Sequence, residues 1–143
     1  MIDGKQDGAT VNAEGQSLAK LPYGVSFRRI TTHVDYRGSV FEMFDPRWQW
    51  HAEPIEFVYC FTVRPGLIKG WGMHKKHDDR YGLMYGEMMV VLYDDRLESP
   101  TRGLVSEIVL SEFDRKLINI PAGIWHADRV LAHPGDDRRP GRR

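Results

Sequence analysis

The sequence predicts an all-β fold, a sandwich or jelly-roll barrel, and three observations predict it. Short segments rich in branched and aromatic residues recur at spacings of about 8 to 15 residues. Turn-forming groups such as Asp35-Tyr36-Arg37-Gly38 and Pro65-Gly66 separate them. No long stretch keeps a clean helical period. With 143 residues the chain suits a single domain, and about two-thirds of its unfolded surface can be buried on folding.

Residues 1–22 mix Asp, Gly, Gln, Asn and Ala without a sustained period and read as a flexible N-terminal arm. The domain proper is expected over 23–132. Val25–Ile30 and Gly38–Phe44 are strand-like and flank the Asp35–Gly38 turn. Asp45-Pro46-Arg47 reads as a turn, after which Trp48-Gln49-Trp50 would place both rings on one face if extended. Ile55–Val63 reads as a longer apolar strand, and Leu67–Met73 follows the Pro65-Gly66 turn as another. Residues 86–95 alternate and predict a strand, as do 104–110 and Leu117–Pro121. Residues 133–143 hold no large apolar side chain and are expected to be a disordered basic tail.

Composition narrows the function. Apolar residues make up 41% and charged residues 28%, ordinary values for a globular protein. Twenty acidic and twenty basic side chains give zero formal net charge, so no overall field recruits nucleic acid or an anionic membrane. An anionic ligand has to be held by locally placed arginines and lysines. The chain opens without the apolar core of a signal peptide and holds no apolar run near the ~20 residues of a membrane span, so a cytoplasmic location is expected. Cys60, the one cysteine, forms no intramolecular disulfide and is expected to be a small buried hydrophobe in Phe57–Phe61.

The residues that carry chemistry are histidines set among turns. His126 follows Pro121-Ala122-Gly123, a turn able to aim a side chain inward from the start of a strand. His74 and His77 flank a charged loop, Lys75–Arg80. Asp35-x-Arg37-Gly38-x-x-x-Glu42, Asp95-Arg96-x-x-Ser99-Pro100-Thr101-x-Gly103 and Leu117-x-x-Ile120-Pro121-x-Gly123-x-x-His126 occur in that order. Together these motifs resemble the dTDP-4-dehydrorhamnose 3,5-epimerase family over about residues 24–131.

The resemblance implies a cupin-type jelly-roll barrel and epimerisation of a nucleotide-linked 4-keto-6-deoxy sugar on the way to dTDP-rhamnose and surface polysaccharide. It implies no cofactor or metal, and a homodimer that exchanges N-terminal strands. The 4-ketone acidifies the neighbouring C–H bonds, so a histidine base can remove a proton and an acid can return it on the opposite face. The match for the base is His74 in Gly72-Met73-His74, and an imidazole titrates near neutrality. His126 matches the residue that contacts the sugar or steadies the enolate oxygen. Arg37 matches a diphosphate-binding arginine, Glu42 a residue that helps to hold the base, and Lys69 replaces an arginine at the same phosphates. Arg80 is the nearest cation to the position of the family's substrate-binding lysine. The family's acid is a tyrosine beyond the second histidine, whereas this chain has no tyrosine after Tyr93. The donor is therefore unassigned.

Two other readings follow from the same residues. A metal-dependent cupin would use His74, His77 and His126, although a spacing of three puts the first two on opposite faces of a regular strand. A non-catalytic sugar-nucleotide binding module would stack Trp48, Trp50, Trp71 or Trp125 on sugar rings.

Overall fold

The structure, a computed structural model, describes residues 8–131. The expected C-terminal tail lies outside the described residues. Nine strands follow in order: β1 (Ser26–Arg29), β2 (Thr32–Asp35), β3 (Gly38–Phe41), β4 (Ile68–Gly72), β5 (Asp79–Gly82), β6 (Glu87–Asp94), β7 (Val105–Ser111), β8 (Lys116–Ile120) and β9 (Ile124–Val130). All of their pairings are antiparallel. The fold is the expected all-β jelly roll.

A four-stranded sheet runs β4-β9-β6-β7 and a three-stranded sheet runs β1-β8-β5. In β6 and β7 every second residue is buried, so Met88, Val90 and Leu92 lie beside Ile108 and Leu110 on one face. That is the pattern of a sheet with one wet side. Ile118 and Ile120 of β8 and Ile124 of β9 complete the core, with Leu21, Phe27, Tyr81 and Leu83 packed against it. Residues near the start of the described chain are drawn in: Pro22 is fully buried, and Ser106 Oγ donates to the Lys20 carbonyl at 2.5 Å.

Asp94 builds one corner. It is 0% exposed and accepts hydrogen bonds from Arg96 Nε at 2.9 Å, Ser99 Oγ at 2.5 Å and Thr101 Oγ1 at 2.7 Å. Arg96 also donates to the Tyr23 carbonyl, and the Tyr23 amide donates to Thr101 Oγ1. Asp94 and the Arg96-x-x-Ser99-Pro100-Thr101 part of the motif are thus the clasp that ties the chain's entry to the barrel. The hydrogen bonds from Arg96, Ser99 and Thr101 hold this buried carboxylate well below the usual carboxylate range, Arg96 foremost.

Several expectations are corrected. Ile55–Val63 is not a strand, because within this chain its backbone has no ladder to join. Phe57, Val58 and Tyr59 are exposed, and so is Cys60, which was expected to be buried. The Phe57 and Tyr59 rings nonetheless stack at 5.8 Å, as neighbours on one face of an extended segment do. Pro46–Trp48 is a 3-10 turn capped by Asp45, and Gln49 is left-handed with φ 47°, so Trp48 and Trp50 are not on one extended face. Trp48 lies under the Arg28 guanidinium at 4.2 Å. Strands β2, β5 and β9 were not anticipated.

Candidate active site

Two histidines meet at one carboxylate. β5 begins at Asp79, whose Oδ2 lies 3.1 Å from His74 Nε2 and 3.4 Å from His126 Nε2. Each residue is placed by a different device. Asp79 pairs with Ile120 in the β5–β8 ladder, which fixes its height. His126 lies on β9, opposite Gly72 of β4 and Leu92 of β6. His74 sits just past β4, and its carbonyl accepts the Gly123 amide at 2.7 Å, so the Pro121–Gly123 turn is bonded to the backbone of the first histidine.

His77 closes over the group. Its ring stacks on that of His74 with centroids 4.4 Å apart. Residues 73–78 form a bend rather than a strand, so the spacing of three brings the two imidazoles together instead of parting them. Side-chain exposure falls from 37% for His74 to 13% for His126, so the first faces the opening and the second the interior.

The carboxylate decides what the imidazoles can do. The Asp79 carboxylate lies within ion-pairing distance of His74 Nε2, so it faces the charge that His74 acquires on taking a proton. A fixed partner of this kind steadies the imidazolium that forms. His126 Nδ1 lies 3.4 Å from the Ile124 carbonyl, a second polar partner for its ring. The three donor atoms of His74, Asp79 and His126 lie within 4.8 Å of one another, so the set could also hold a divalent cation.

A second His–Asp pair supports the first. Asp78 accepts from the Ala122 amide at 2.9 Å and from Asn119 Nδ2 at 3.0 Å, and its Oδ2 lies 3.0 Å from His51 Nε2. It joins residues 51–53 to the turn before His126. Its pKa is lowered, because these hydrogen bonds and the charge of His51 together outweigh the effect of burial. Deeper in the barrel, Tyr81 Oη donates to Asp128 Oδ1 at 3.0 Å. Burial pushes the Asp128 carboxyl up, and burial together with Asp128 pushes the Tyr81 phenol up.

The residues expected at the site divide. His74 and His126 are brought together. Arg37 is on the β2–β3 hairpin, which pairs with no other strand, and its Nε donates to Asp35 at 3.1 Å. Glu42 lines a small hollow with Arg28, His33 and Trp48, and the carboxylate beside His74 is Asp79. Lys69 on β4 faces Asp128 across the β4–β9 ladder and holds its Nζ 5.8 Å from the Phe61 ring centroid. Arg80 donates to the Glu53 and Pro54 carbonyls at 2.9 and 3.2 Å, and so acts as a clamp on that loop.

Asp79, Tyr81 and Asp128 escaped the sequence reading. The signal was present as two alternations, Asp79-x-Tyr81 and His126-x-Asp128, each placing two polar groups on one strand face.

The described residues include no helix long and apolar enough to cross a membrane. The fold is a cupin-like jelly roll in which two histidines meet one aspartate. No protein-family model matches the chain. It is 33% identical over 110 residues, 76% of its length, to the spore coat polysaccharide biosynthesis protein SpsL of Bacillus subtilis, of which it covers 71%. It is 29% identical over 110 residues to the probable low-salt glycan biosynthesis epimerase Agl13 of Haloferax volcanii, covering 76% of this chain and 70% of that one. A dTDP sugar isomerase from Desulfovibrio desulfuricans shares the fold with a TM-score of 0.73 and 24% identity, over 80% of this chain and 74% of that chain. The chain belongs to the dTDP-4-dehydrorhamnose 3,5-epimerase family and is an enzyme of the epimerase class.

Proposed function

We propose that this chain epimerises a nucleotide-linked 4-keto-6-deoxy sugar of the dTDP-4-dehydrorhamnose type for surface polysaccharide synthesis, as a cytoplasmic homodimer. The observation that carries the reading is the 3.1 Å contact between His74 and Asp79. It sets a carboxylate beside a partly exposed imidazole, where it steadies the imidazolium that forms when a proton is taken. His74 removes the proton beside the ketone, the C–H electron pair moves into the enolate, and His126 meets the developing negative charge on oxygen. His77, stacked on His74, walls the opening.

The diphosphate needs cations, and within one chain Arg37 stands away on its hairpin while Arg80 is engaged by backbone carbonyls. A second copy resolves this. The β2–β3 hairpin exposes Val34, Tyr36 and Val40, while Phe57, Val58, Tyr59, Ile68 and Trp71 form further uncovered apolar surface around the edge strand β4. An uncovered extended segment and a bare edge favour strand pairing between copies. In that arrangement Arg37 is offered to the partner's site, and Lys69 supplies a second positive charge.

The test is incubation with dTDP-4-keto-6-deoxyglucose in heavy water, following deuterium uptake at C3 and C5. Uptake by the wild type that vanishes in His74→Ala is the expected result. Saturable binding without uptake would sink the epimerase reading and leave a sugar-nucleotide binding module.

A further inference from the structure

Epimerisation needs a donor on the sugar face opposite the base, and the interior of the barrel contains one. Asp79 and Tyr81 are two residues apart on β5 and share a face, as do His126 and Asp128 on β9. The two faces oppose each other. Asp79 meets His126 at 3.4 Å, and Tyr81 meets Asp128 at 3.0 Å. These contacts form two rungs of a polar ladder across the barrel, separated along the strands by roughly 7 Å. His74 joins the first rung through Asp79 at 3.1 Å, so Tyr81 stands one rung inward from the base.

Of the six tyrosines in the chain, Tyr23, Tyr36, Tyr59 and Tyr85 are exposed, and Tyr93 lies on the face of β6 away from the core. Tyr81 is half-buried beside the histidine cluster, with its ring edge-on to Phe61. Asp128, 5% exposed, is paired with Lys69 across the β4–β9 ladder and accepts the Tyr81 hydroxyl at 3.0 Å.

Building on the proposed epimerase function, we infer that Tyr81 returns the proton to the sugar carbon, with Asp128 behind it as the group that holds the phenol in place. The Tyr81 O–H bond breaks as the new C–H bond forms. The enolate electron pair moves to carbon and the ketone is restored. The phenolate oxygen then recovers a proton from water as product leaves, and Asp128 accepts the restored O–H at 3.0 Å.

Tyr81→Phe separates removal of the proton from its delivery. In heavy water with dTDP-4-keto-6-deoxyglucose, the variant is expected to keep His74-dependent deuterium uptake within about 3-fold of wild type, while inverted product falls at least ~10²-fold. Asp128→Asn keeps an acceptor for Tyr81 and is expected to slow inversion in the same selective way, which covers a folding failure of the first variant. Inversion at wild-type rate in either variant overturns the assignment. So does loss of exchange and inversion in equal measure from a folded protein, the mark of a merely structural role. Absence of exchange in the wild type overturns the proposed function and this inference together.

Discussion

Gly72 leaves room for His126. A Cβ built on Gly72 would stand 3.0 Å from His126 Nε2, tight enough that the ring would have to give by a few tenths of an ångström. The imidazole that meets Asp79 therefore owes its position to a missing methyl group on the adjacent strand.

Gly72→Ala is expected to push the ring off Asp79 with little change in the barrel. Activity should fall about 10-fold or more, since small misplacements of a catalytic group cost up to about 10²-fold, while Tm moves little. A His126 ring resonance unchanged in the variant would contradict this.

Asp79→Asn tests the shared carboxylate. The amide is nearly isosteric but cannot steady an imidazolium, so exchange is expected to drop by about 10²-fold. Binding of the nucleotide sugar should persist. A raised KM with kcat unchanged would assign Asp79 to binding instead.

Asp94 gives the corner its acid sensitivity. Its folded-state pKa is depressed, so its contribution to stability is complete above about pH 4, the unfolded value, and is lost as pH falls toward the folded value. Asp94→Asn is expected to cost about 2 kcal/mol at pH 7, with a shallower acid limb in denaturation curves. A parallel limb would place the sensitivity elsewhere.

Asp128 works in the other sense. Its folded pKa is raised, so the folded state holds a proton that the unfolded chain has released above about pH 4. Its effect on stability worsens as pH rises through that window and stays unfavourable at neutrality. Asp128→Asn should raise Tm at pH 8 and leave it unchanged at pH 3, even as turnover falls. Thermal melts at the two pH values decide the matter.

Chelation separates acid–base chemistry from metal chemistry at the histidine cluster. Dialysis against EDTA is expected to leave deuterium exchange unchanged, and added zinc to inhibit by capturing His74 and His126. Activity lost to the chelator and restored by one metal would reverse the reading.

The legible parts of the sequence were those in which one face of a strand is apolar. β6 and β7 alternate cleanly because their inner residues fill a dry core. β5 was hidden because its inner face is Asp79 and Tyr81, so a charged start continues the Lys75–Arg80 run and resembles a solvated loop. Ile55–Val63 shows the converse: strand composition identifies a willing strand without supplying a partner for it. His74 and His126 were legible through their turns. The carboxylate between them was not, since their meeting depends on the packing of two sheets.

The amide bond from Gly123 to the His74 carbonyl makes the spacing of the two histidines a matter of loop arithmetic. Lys75, Lys76 and His77 can be exchanged for other residues and alter what an incoming sugar meets, yet the backbone span they cover must keep its length. One deletion there would shift the first histidine and strand β5 out of step with the turn that carries the second. Substrate preference is thus written in side chains and proton chemistry in residue count, and the two can diverge independently.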